Sequence, residues 1–337
     1  MIKYLGSKRL LVPAIREVVR GMPNVKSVLD LFSGTSRVGH ALKQDGYRVF
    51  ANDHNAYAAT LARCYVAADR ECFEDEARRI LLELDALPGK PGYFTETFCI
   101  QSRFFQPENG ARVDAIREAI ARLSLSPALE SILLVSLMEA ADRVDSTTGV
   151  QMAYLKQWAK RASNPLRLRL PDLAPSSKHG PCLAFESDAL EVLREVQADL
   201  AYIDPPYNQH KYLGNYHIWE SLVRWDKPEV YGTACKRIDC KTRSSEFNSK
   251  PRFEAAFERL IEAVQAKRLI VSFSDEGYLS REAFLRILGK RGEVQVLEHD
   301  YKRYVGAQIG IHNLRGERVG KVSHLRNKEY LFIVDAR

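Results

Sequence analysis

A short apolar run that ends in two consecutive prolines constrains this chain most. Residues 199–203 read as a buried strand, and Asp204-Pro205-Pro206-Tyr207 follows directly. Each proline fixes its own φ angle and lacks a backbone N–H group, so the strand must end there. The first proline also favours an extended conformation at Asp204. The sequence therefore predicts a strand of an α/β sheet with rigid polar groups at its carboxyl end, where such sheets bind ligands.

The residues of this motif can hold a flat ring that bears an amine. Asp204 supplies a carboxylate, Tyr207 supplies an aromatic ring, and backbone carbonyls of the turn supply further acceptors. An amino group can donate two hydrogen bonds to these acceptors while the tyrosine stacks on the heterocycle. The pattern suggests binding of the exocyclic amine of a base. The alternative is an ordinary strand-ending turn with an exposed tyrosine, because Asp-Pro pairs are common in turns.

A second pattern upstream has the order strand, tight turn, helix, strand. Residues 27–31 read as the first strand, and Gly34 in the turn allows a ligand to approach the backbone closely. Residues 47–53 read as the second strand, which ends in Asp53, 19 residues after Gly34. In nucleotide-binding α/β units, an acid at about that distance accepts hydrogen bonds from ribose hydroxyls.

The turn lacks the motifs that hold phosphates. Neither GxGxxG nor GxxxxGK[ST] occurs in the chain, and both of these motifs cradle phosphate groups with backbone amides. The ligand is therefore expected to contain a ribose but no pyrophosphate. S-adenosylmethionine fits that description.

With these motifs, the chain resembles the Dam-like N6-adenine DNA methyltransferases, the D12 class, over most of its length. Asp204 to Tyr207 is similar to the catalytic motif of that family. The resemblance implies a Rossmann-like, S-adenosylmethionine-dependent methyltransferase sheet with a mostly helical insert, in the α/β class. It also implies methyl transfer to N6 of an adenine in double-stranded DNA, and an adenine must leave the base stack to reach a buried cofactor.

The resemblance further implies a cofactor site spread over several segments. Residues 3–8 look like the N-terminal cofactor motif, residues 30–36 like the methionine-binding turn, and Asp53 like the ribose acid. Asp188 looks like the acid that holds the adenine of the cofactor. Ser36 departs from the family, which often has a second glycine there. The implied cofactor-binding residues are Tyr4, Lys8, Asp30, Phe32, Ser33, Gly34, Thr35, Asp53 and Asp188, and the implied catalytic residues are Asp204, Pro205, Pro206 and Tyr207.

The middle third of the chain loses the strand–turn–helix rhythm and reads as helical. We expect a catalytic domain formed by residues 1–62 and 176–337, with a helical insert at 63–175 that serves as the target-recognition domain in the family. A polar loop at 142–149 interrupts the helical pattern. Because function often lies on exposed loops, we expect this loop to be exposed and to read bases. The candidate base-reading residues are Arg143, Asp145 and Gln151.

The formal net charge of +7 favours a polyanionic partner. Residues 151–169 and 236–252 mix cations with aromatic residues, which suits contact with phosphates and exposed bases. The alternatives are a solvated basic helix for the first segment and an ordinary surface loop for the second. The residues expected to bind DNA are Arg143, Lys156, Arg161, Lys241 and Arg243.

Other features limit the cofactors, the location and the partners. No CxxC or HExxH pattern occurs, and His210 and His217 stand outside any metal-ligand spacing, so we expect no metal. The six cysteines suit reduced thiols. No apolar run approaches about 18 residues, and we expect a cytoplasmic protein without a membrane anchor. A cognate restriction enzyme is a candidate partner; the sequence leaves the oligomeric state open.

Three alternative functions remain open. Enzymes that modify bases of rRNA also carry Asp-Pro-Pro-Tyr, although the N-terminal motif and the large insert favour DNA. An N4-cytosine methyltransferase usually has serine in place of the first aspartate, so Asp204 argues against it. A catalytically idle DNA-binding module is the third alternative, and the intact motif argues against it.

Overall fold

The computed structural model describes residues 1–207, 211–302, 311–312, 318–320 and 326–336; His210 lies outside these residues. The described strands are β1 (Ser27–Asp30), β2 (Arg48–Asn52), β3 (Leu183–Phe185), β4 (Leu200–Ile203), β5 (Val230–Tyr231), β6 (Lys236–Arg237), β7 (Arg268–Ser274), β8 (Gly292–Lys302), β9 (Ile311–His312), β10 (Arg318–Gly320) and β11 (Arg326–Ala336). The described α-helices are α1 (Val12–Gly21), α2 (Arg37–Gln44), α3 (Ala56–Ala62), α4 (Arg70–Asp85), α5 (Tyr93–Thr95), α6 (Pro107–Arg122), α7 (Pro127–Arg143), α8 (Ala189–Glu195), α9 (Tyr212–Asn215), α10 (His217–Arg224), α11 (Lys250–Ala263) and α12 (Arg281–Gly289).

Strands and helices alternate as expected for an α/β protein. Seven of the described strands form one sheet in the order β3-β2-β1-β4-β7-β11-β8. The β1–β2, β2–β3 and β4–β7 pairs are parallel, and β11 pairs antiparallel with β7 and β8. This mostly parallel sheet confirms the predicted Rossmann-like methyltransferase fold class.

The chain divides into two compact units. The first unit contains Met1–Asp199 and His210–Ser244, and the second contains Leu200–Gln209 and Ser245–Arg337. Residues 63–175 thus fold in the same unit as the N-terminal cofactor motifs. The recognition role of residues 63–175 stays a prediction.

The first unit is built around three parallel strands. Leu29 of β1 lies opposite Phe50 of β2, and Ala51 of β2 lies opposite Ala184 of β3. Parallel neighbours need a crossover between them. Helix α2 connects β1 to β2, whereas the long connection from β2 to β3 contains α3 to α7.

The helices of that long connection share one apolar core with α10. The core includes the fully buried side chains of Phe94 and Phe98, as well as Leu133 and Leu137 on α7 and Trp219 on α10. Helix α7 is apolar on most sides and is accordingly enclosed by its neighbours. Helices α4, α6 and α7 lie within the middle third of the chain, which the sequence predicted to be helical.

The expectation of an exposed loop at 142–149 was wrong. Asp142 and Arg143 belong to the end of α7, and Asp145 is only 2% exposed. Lys3 Nζ and Arg161 Nε donate to Asp145 Oδ1 at 2.7 and 2.8 Å. Partners from distant parts of the chain satisfy the polar groups of this loop, so it can be buried.

Gln151 is buried in the same region and cannot read a base in this structure. Its side-chain Oε1 accepts a hydrogen bond from the backbone N–H of Ile218 at 2.8 Å, and its carbonyl oxygen lies 3.0 Å from Nε2 of His217. Of the three candidate base-reading residues, only Arg143 is left. The side chains of Asp145 and Gln151 are buried and bound to partners inside the protein.

The second unit places β4 beside β7, with Ile203 opposite Val271. Aromatic side chains pack around β7: the ring centroids of Phe273 and Phe284 lie 4.2 Å apart, and those of Phe273 and Phe253 lie 5.7 Å apart. This cluster packs α11 and α12 against β7.

His217 is a packing residue in the core of the first unit. It is fully buried, with the rings of Phe98 and Phe104 at centroid distances of 6.0 and 6.1 Å. Burial lowers the pKa of His217 to about 3, because the apolar surroundings disfavour the charged imidazolium. The side chain is therefore neutral in the folded protein, and its Nε2–H donates to the Gln151 carbonyl.

We predict that His217→Gln flattens the dependence of stability on pH between about pH 6.5 and pH 3. In that window the unfolded chain binds a proton at His217 and the folded protein does not, so wild-type stability falls as the pH falls. At pH 5 the loss amounts to about 2 kcal/mol relative to pH 8. Glutamine cannot titrate but can still donate to the Gln151 carbonyl. Urea unfolding at both pH values measures the difference, and equal losses in the two proteins would contradict the prediction.

Candidate cofactor and base-binding sites

Three predicted cofactor segments lie at one edge of the first unit. The glycine turn follows β1, Asp53 follows β2, and Asp188 lies shortly after β3. The carboxyl ends of parallel strands meet at the same edge of a sheet. The structure thus brings together segments that are far apart in the sequence.

The turn after β1 uses two residues in the left-handed backbone conformation. Gly34 has a φ angle of 51° and Ser36 has a φ angle of 58°. The backbone N–H of Ser36 donates to the Ser33 carbonyl, and α2 begins at the next residue. Ser36 therefore adopts the conformation that glycine adopts without steric cost, which fits the second glycine that the resemblance implies at this position. The left-handed conformation of Ser36 costs roughly 1 kcal/mol in conformational free energy, because serine carries a Cβ atom and glycine does not.

Asp53 fastens this turn to the end of β2. Its Oδ2 accepts a hydrogen bond from the backbone N–H of Gly34 at 3.1 Å, and its Oδ1 accepts from the backbone N–H of Asn55 at 2.9 Å. Burial raises the pKa of Asp53, although His54 and the N–H donors act in the opposite direction. The predicted ribose acid is thus a half-buried carboxyl group held directly beside the glycine turn.

Tyr4 packs on the glycine turn. A Cβ atom added at Gly34 would lie 3.4 Å from Cε1 of Tyr4. The Tyr4 ring also stacks on Tyr216 and Tyr212, at centroid distances of 4.6 and 5.2 Å. Its hydroxyl oxygen is 3.3 Å from that of Tyr57, and burial raises the pKa of Tyr4, so the phenol is protonated at neutral pH. The N-terminal motif and the glycine turn therefore lie in contact, and their joint role in binding a cofactor stays a prediction.

The chemistry of this edge fits a ligand with a ribose and an amino-acid portion. Gly34 presents backbone without a side chain, and Asp53 provides a carboxyl group. Ser33 Oγ is buried and has no hydrogen-bond partner among the residues that the structure describes. A hydroxyl in that state is available to a bound polar group.

The other predicted cofactor residues differ in their contacts and in their burial. Asp30 Oδ2 accepts from the backbone N–H of Gly39 at 3.0 Å, so it stabilises the start of α2. Asp188 is exposed and accepts from the backbone N–H of Leu190 at 2.9 Å, which caps α8. Lys8 and Thr35 are buried, and Phe32 is half-buried.

The proline motif follows β4 in the second unit, as predicted. Pro205 is buried, whereas Asp204, Pro206 and Tyr207 are half-buried. The Tyr207 ring lies 5.1 Å from the Phe273 ring, at an interplanar angle of 59°. The aromatic cluster around β7 thus supports the tyrosine that we expect to stack on a base.

The cations expected to bind DNA differ in their surroundings. Arg143 Nη2 donates to the Arg167 carbonyl at 2.8 Å, and Lys241 Nζ lies 4.4 Å from the centroid of the Tyr231 ring. Lys156 is exposed. Arg161 and Arg243 form ion pairs with Asp145 and Glu220. DNA binding by these five residues stays a prediction.

Sequence reasoning missed Glu220 and the tyrosines around Tyr4. Glu220 is fully buried on α10 and contacts the segment after β2. Neither spacing nor charge in the sequence points to Tyr216. Its hydroxyl oxygen accepts a hydrogen bond from the backbone N–H of Leu5, a residue more than 200 positions away. Only the spacing of Glu220 and Arg224, which form an i,i+4 ion pair, could have drawn attention to that helix.

Comparison with known proteins agrees with these features. Residues 4–283 match the family of D12 class N6 adenine-specific DNA methyltransferases. The chain belongs to this family. The resemblance inferred from the motifs is thereby confirmed.

The chain is similar to several named methyltransferases. It is 28% identical to the Type II methyltransferase M.NlaIII of Neisseria lactamica, over 98% of this chain and 100% of that protein. It is 31% identical to the Type II methyltransferase M.FokI of Planomicrobium okeanokoites and 30% identical to the modification methylase StsI of Streptococcus sanguinis, over 90% and 91% of this chain. The chain matches only half the length of each of those two proteins.

Each helix in the described part of the chain is too short or too polar to span a lipid bilayer. The six cysteines are all free thiols, as expected from their spacing.

We predict that Asp53→Ala and Asp188→Ala each weaken binding of S-adenosylmethionine. Removing a charge-assisted hydrogen bond costs about 1.5–3 kcal/mol, which is about 10- to 150-fold in affinity. Calorimetric titration measures the effect. Asp172→Ala is the matched control, because Asp172 is an exposed aspartate of the same unit. Unchanged affinity in both site variants would refute the assignment.

Proposed function

We propose that this chain transfers a methyl group from S-adenosylmethionine to N6 of an adenine in double-stranded DNA at a specific sequence. The observation that carries the proposal is the intact Asp204–Tyr207 motif, placed directly after β4 in a chain of the D12 class. The family implies S-adenosylmethionine, which supplies an electrophilic methyl group when bound. The edge of the first unit offers groups that suit such a ligand.

We assign the binding of the cofactor to residues at that edge. Tyr4, Ser33 and Gly34 are proposed to hold its amino-acid portion, and Asp53 its ribose. Asp188 is proposed to hold its adenine. The contacts of Asp53 with the glycine turn and of Tyr4 with Gly34 support this assignment, since they join the predicted segments into one site.

The proline motif is proposed to bind and activate the target base. The Asp204 carboxylate and the Pro205 carbonyl accept the two N6 protons, while Tyr207 stacks on the flipped adenine. Accepting both protons favours a lone pair on nitrogen. The carboxylate also stabilises the positive charge that develops on N6 during transfer. The charge and the fixed position of Asp204 matter more in this role than its pKa.

We further propose a cognate restriction enzyme as a functional partner and the cytoplasm as the location. Two of the relatives are named Type II methyltransferases and another a modification methylase. If the chain protects a target sequence from cleavage, DNA from cells that express it should resist one restriction specificity.

We predict that Asp204→Ala abolishes methyl transfer and leaves S-adenosylmethionine binding within about twofold of wild type. Loss of one preorganised charged acceptor lowers the rate by about 10²–10³-fold, or roughly 3–4 kcal/mol. Tritium transfer from the labelled cofactor to DNA, with calorimetry in parallel, measures both quantities. Asp275→Ala, at the end of the neighbouring strand β7, is the matched control.

The same assay separates the alternative functions. Transfer at the wild-type rate by the Asp204 variant would refute the role of the motif. Methylation of rRNA or of cytosine by the wild-type chain would refute the proposed substrate. Binding of DNA without any transfer by the wild-type chain would identify an idle binding module.

We predict that Lys156→Ala and Lys241→Ala lower the salt dependence of DNA binding. Each lost phosphate contact should reduce the slope of log K against log salt concentration by about 0.9, so the double variant should lose about 1.8. Lys290→Ala is the control, because Lys290 is an exposed cation of the second unit beyond α12. A wild-type slope in the double variant would show that the footprint lies elsewhere.

A further inference from the structure

Glu220 is a fully buried carboxylate with three hydrogen-bond donors. Its Oε2 accepts from the backbone N–H of Tyr57 at 3.0 Å. Its Oε1 accepts from Arg224 Nε and from Arg243 Nη1, both at 2.8 Å. Burial alone would raise the pKa of Glu220, but these donors bring it below its ordinary value. A buried charge that is paired and hydrogen-bonded in this way is held firmly in place.

Arg243 makes a second contact that reaches the cofactor edge. Its Nη2 donates to the backbone carbonyl of His54 at 3.0 Å. His54 directly follows Asp53 in the chain. One guanidinium group therefore bridges the buried Glu220 and the segment that carries the predicted ribose acid, with the planar fork geometry that suits two acceptors.

Arg243 and Glu220 together hold both ends of a four-residue segment. Arg243 binds the carbonyl of His54, and Glu220 binds the N–H of Tyr57. The segment is also tied to Asp53, whose Oδ1 accepts from the backbone N–H of Asn55. Its position therefore decides where the Asp53 carboxylate lies relative to the glycine turn.

The same segment orients Tyr57. The hydroxyl of Tyr57 is 3.3 Å from that of Tyr4, which packs on Gly34. A shift at residues 54–57 would thus be transmitted to the N-terminal motif as well as to Asp53. Both groups belong to the edge that is proposed to bind the cofactor.

We infer that Arg243 and Glu220 are positioning residues that set the affinity for the cofactor through the segment 54–57. Arg243, which the sequence suggested as a phosphate contact, is engaged inside the unit by two bonds. If the Arg243 side chain turned away to contact DNA, the buried Glu220 carboxylate would lose one of the two arginines that donate to it. The inference rests on the proposed function, since it takes Asp53 to be a cofactor ligand.

Lys241 provides a matched control for this role. It is a cation two residues before Arg243, and its ammonium group lies over the Tyr231 ring. If the positive charge of this stretch were what mattered, Lys241→Ala and Arg243→Ala would have similar effects. If the two directed bonds matter, only Arg243→Ala affects the cofactor.

The test compares Arg243→Ala, Arg243→Lys and Lys241→Ala by calorimetry with S-adenosylmethionine and by DNA binding at several salt concentrations. We expect Arg243→Ala to weaken cofactor binding about tenfold, the equivalent of one lost hydrogen bond, with a wild-type salt slope. Lysine cannot make both bonds, so Arg243→Lys should also be weakened. Lys241→Ala should bind the cofactor as wild type does. In steady-state assays, Arg243→Ala should raise KM for the cofactor and keep kcat.

A second measurement keeps the inference testable if Arg243→Ala folds poorly. Glu220→Gln retains an acceptor for Tyr57 and loses the charge, and it should weaken cofactor binding as well. The double variant Glu220→Gln/Arg243→Lys should lose less cofactor affinity than the sum of the losses in the two single variants, because the two residues act together. Amide hydrogen exchange at Asn55 and Tyr57, measured without cofactor, should be faster in each variant.

The outcomes separate this inference from the proposed function. Failure of the wild-type chain to bind S-adenosylmethionine would refute the proposed function. Normal cofactor affinity in Arg243→Ala, combined with a salt slope lowered by about 0.9, would refute the inference and restore Arg243 as a phosphate contact. Full affinity in Arg243→Lys would likewise overturn it, because a single charge would then suffice.

Discussion

The parallel pairing of β1, β2 and β3 is the constraint on which the candidate cofactor site depends. Parallel strands point their carboxyl ends to the same edge, and each must be followed by a crossover. The glycine turn, Asp53 and Asp188 therefore meet at one edge, although Asp188 follows the other two by well over a hundred residues. The crossovers also explain the size of the unit. The connection from β2 to β3 contains the apolar helices that enclose α7, so the scaffold of the site and the middle third of the chain share one core.

Buried and half-buried carboxylates stabilise this scaffold. Asp53 ties the glycine turn to β2, Asp145 joins Lys3 to Arg161, and Glu220 joins α10 to the segment after β2. Each of them lies where chain segments distant in sequence converge. A charge in such a position is tolerated only because several donors surround it, and removing one donor leaves the charge exposed to an apolar interior. Some of the cations that make the chain basic thus serve its interior, which weakens the link between net charge and the DNA footprint.

The sequence predicted best those features whose cause is local. Two prolines after an apolar run had to end a strand, and a glycine turn between a strand and a helix had to expose backbone. Both features occur where they were expected. The helices α4, α6 and α7 lie in the middle third of the chain, whose residue pattern predicted helices. The polar loop after α7 was misjudged because its composition was read without its partners. Lys3 and Arg161 lie 142 and 16 residues from Asp145, and nothing in the local pattern indicates that they meet there.

The sequence by itself determined the fold class, the family and the residues of the proline motif and the glycine turn, because these depend on backbone restrictions that act within a few residues. The tertiary structure alone decided which charged side chains pair with one another inside the protein. Whether a cation such as Arg243 faces solvent or a buried carboxylate depends on which distant segments pack together. That outcome is a property of the whole unit, since the cost of burying Glu220 is met only when Tyr57, Arg224 and Arg243 converge on it.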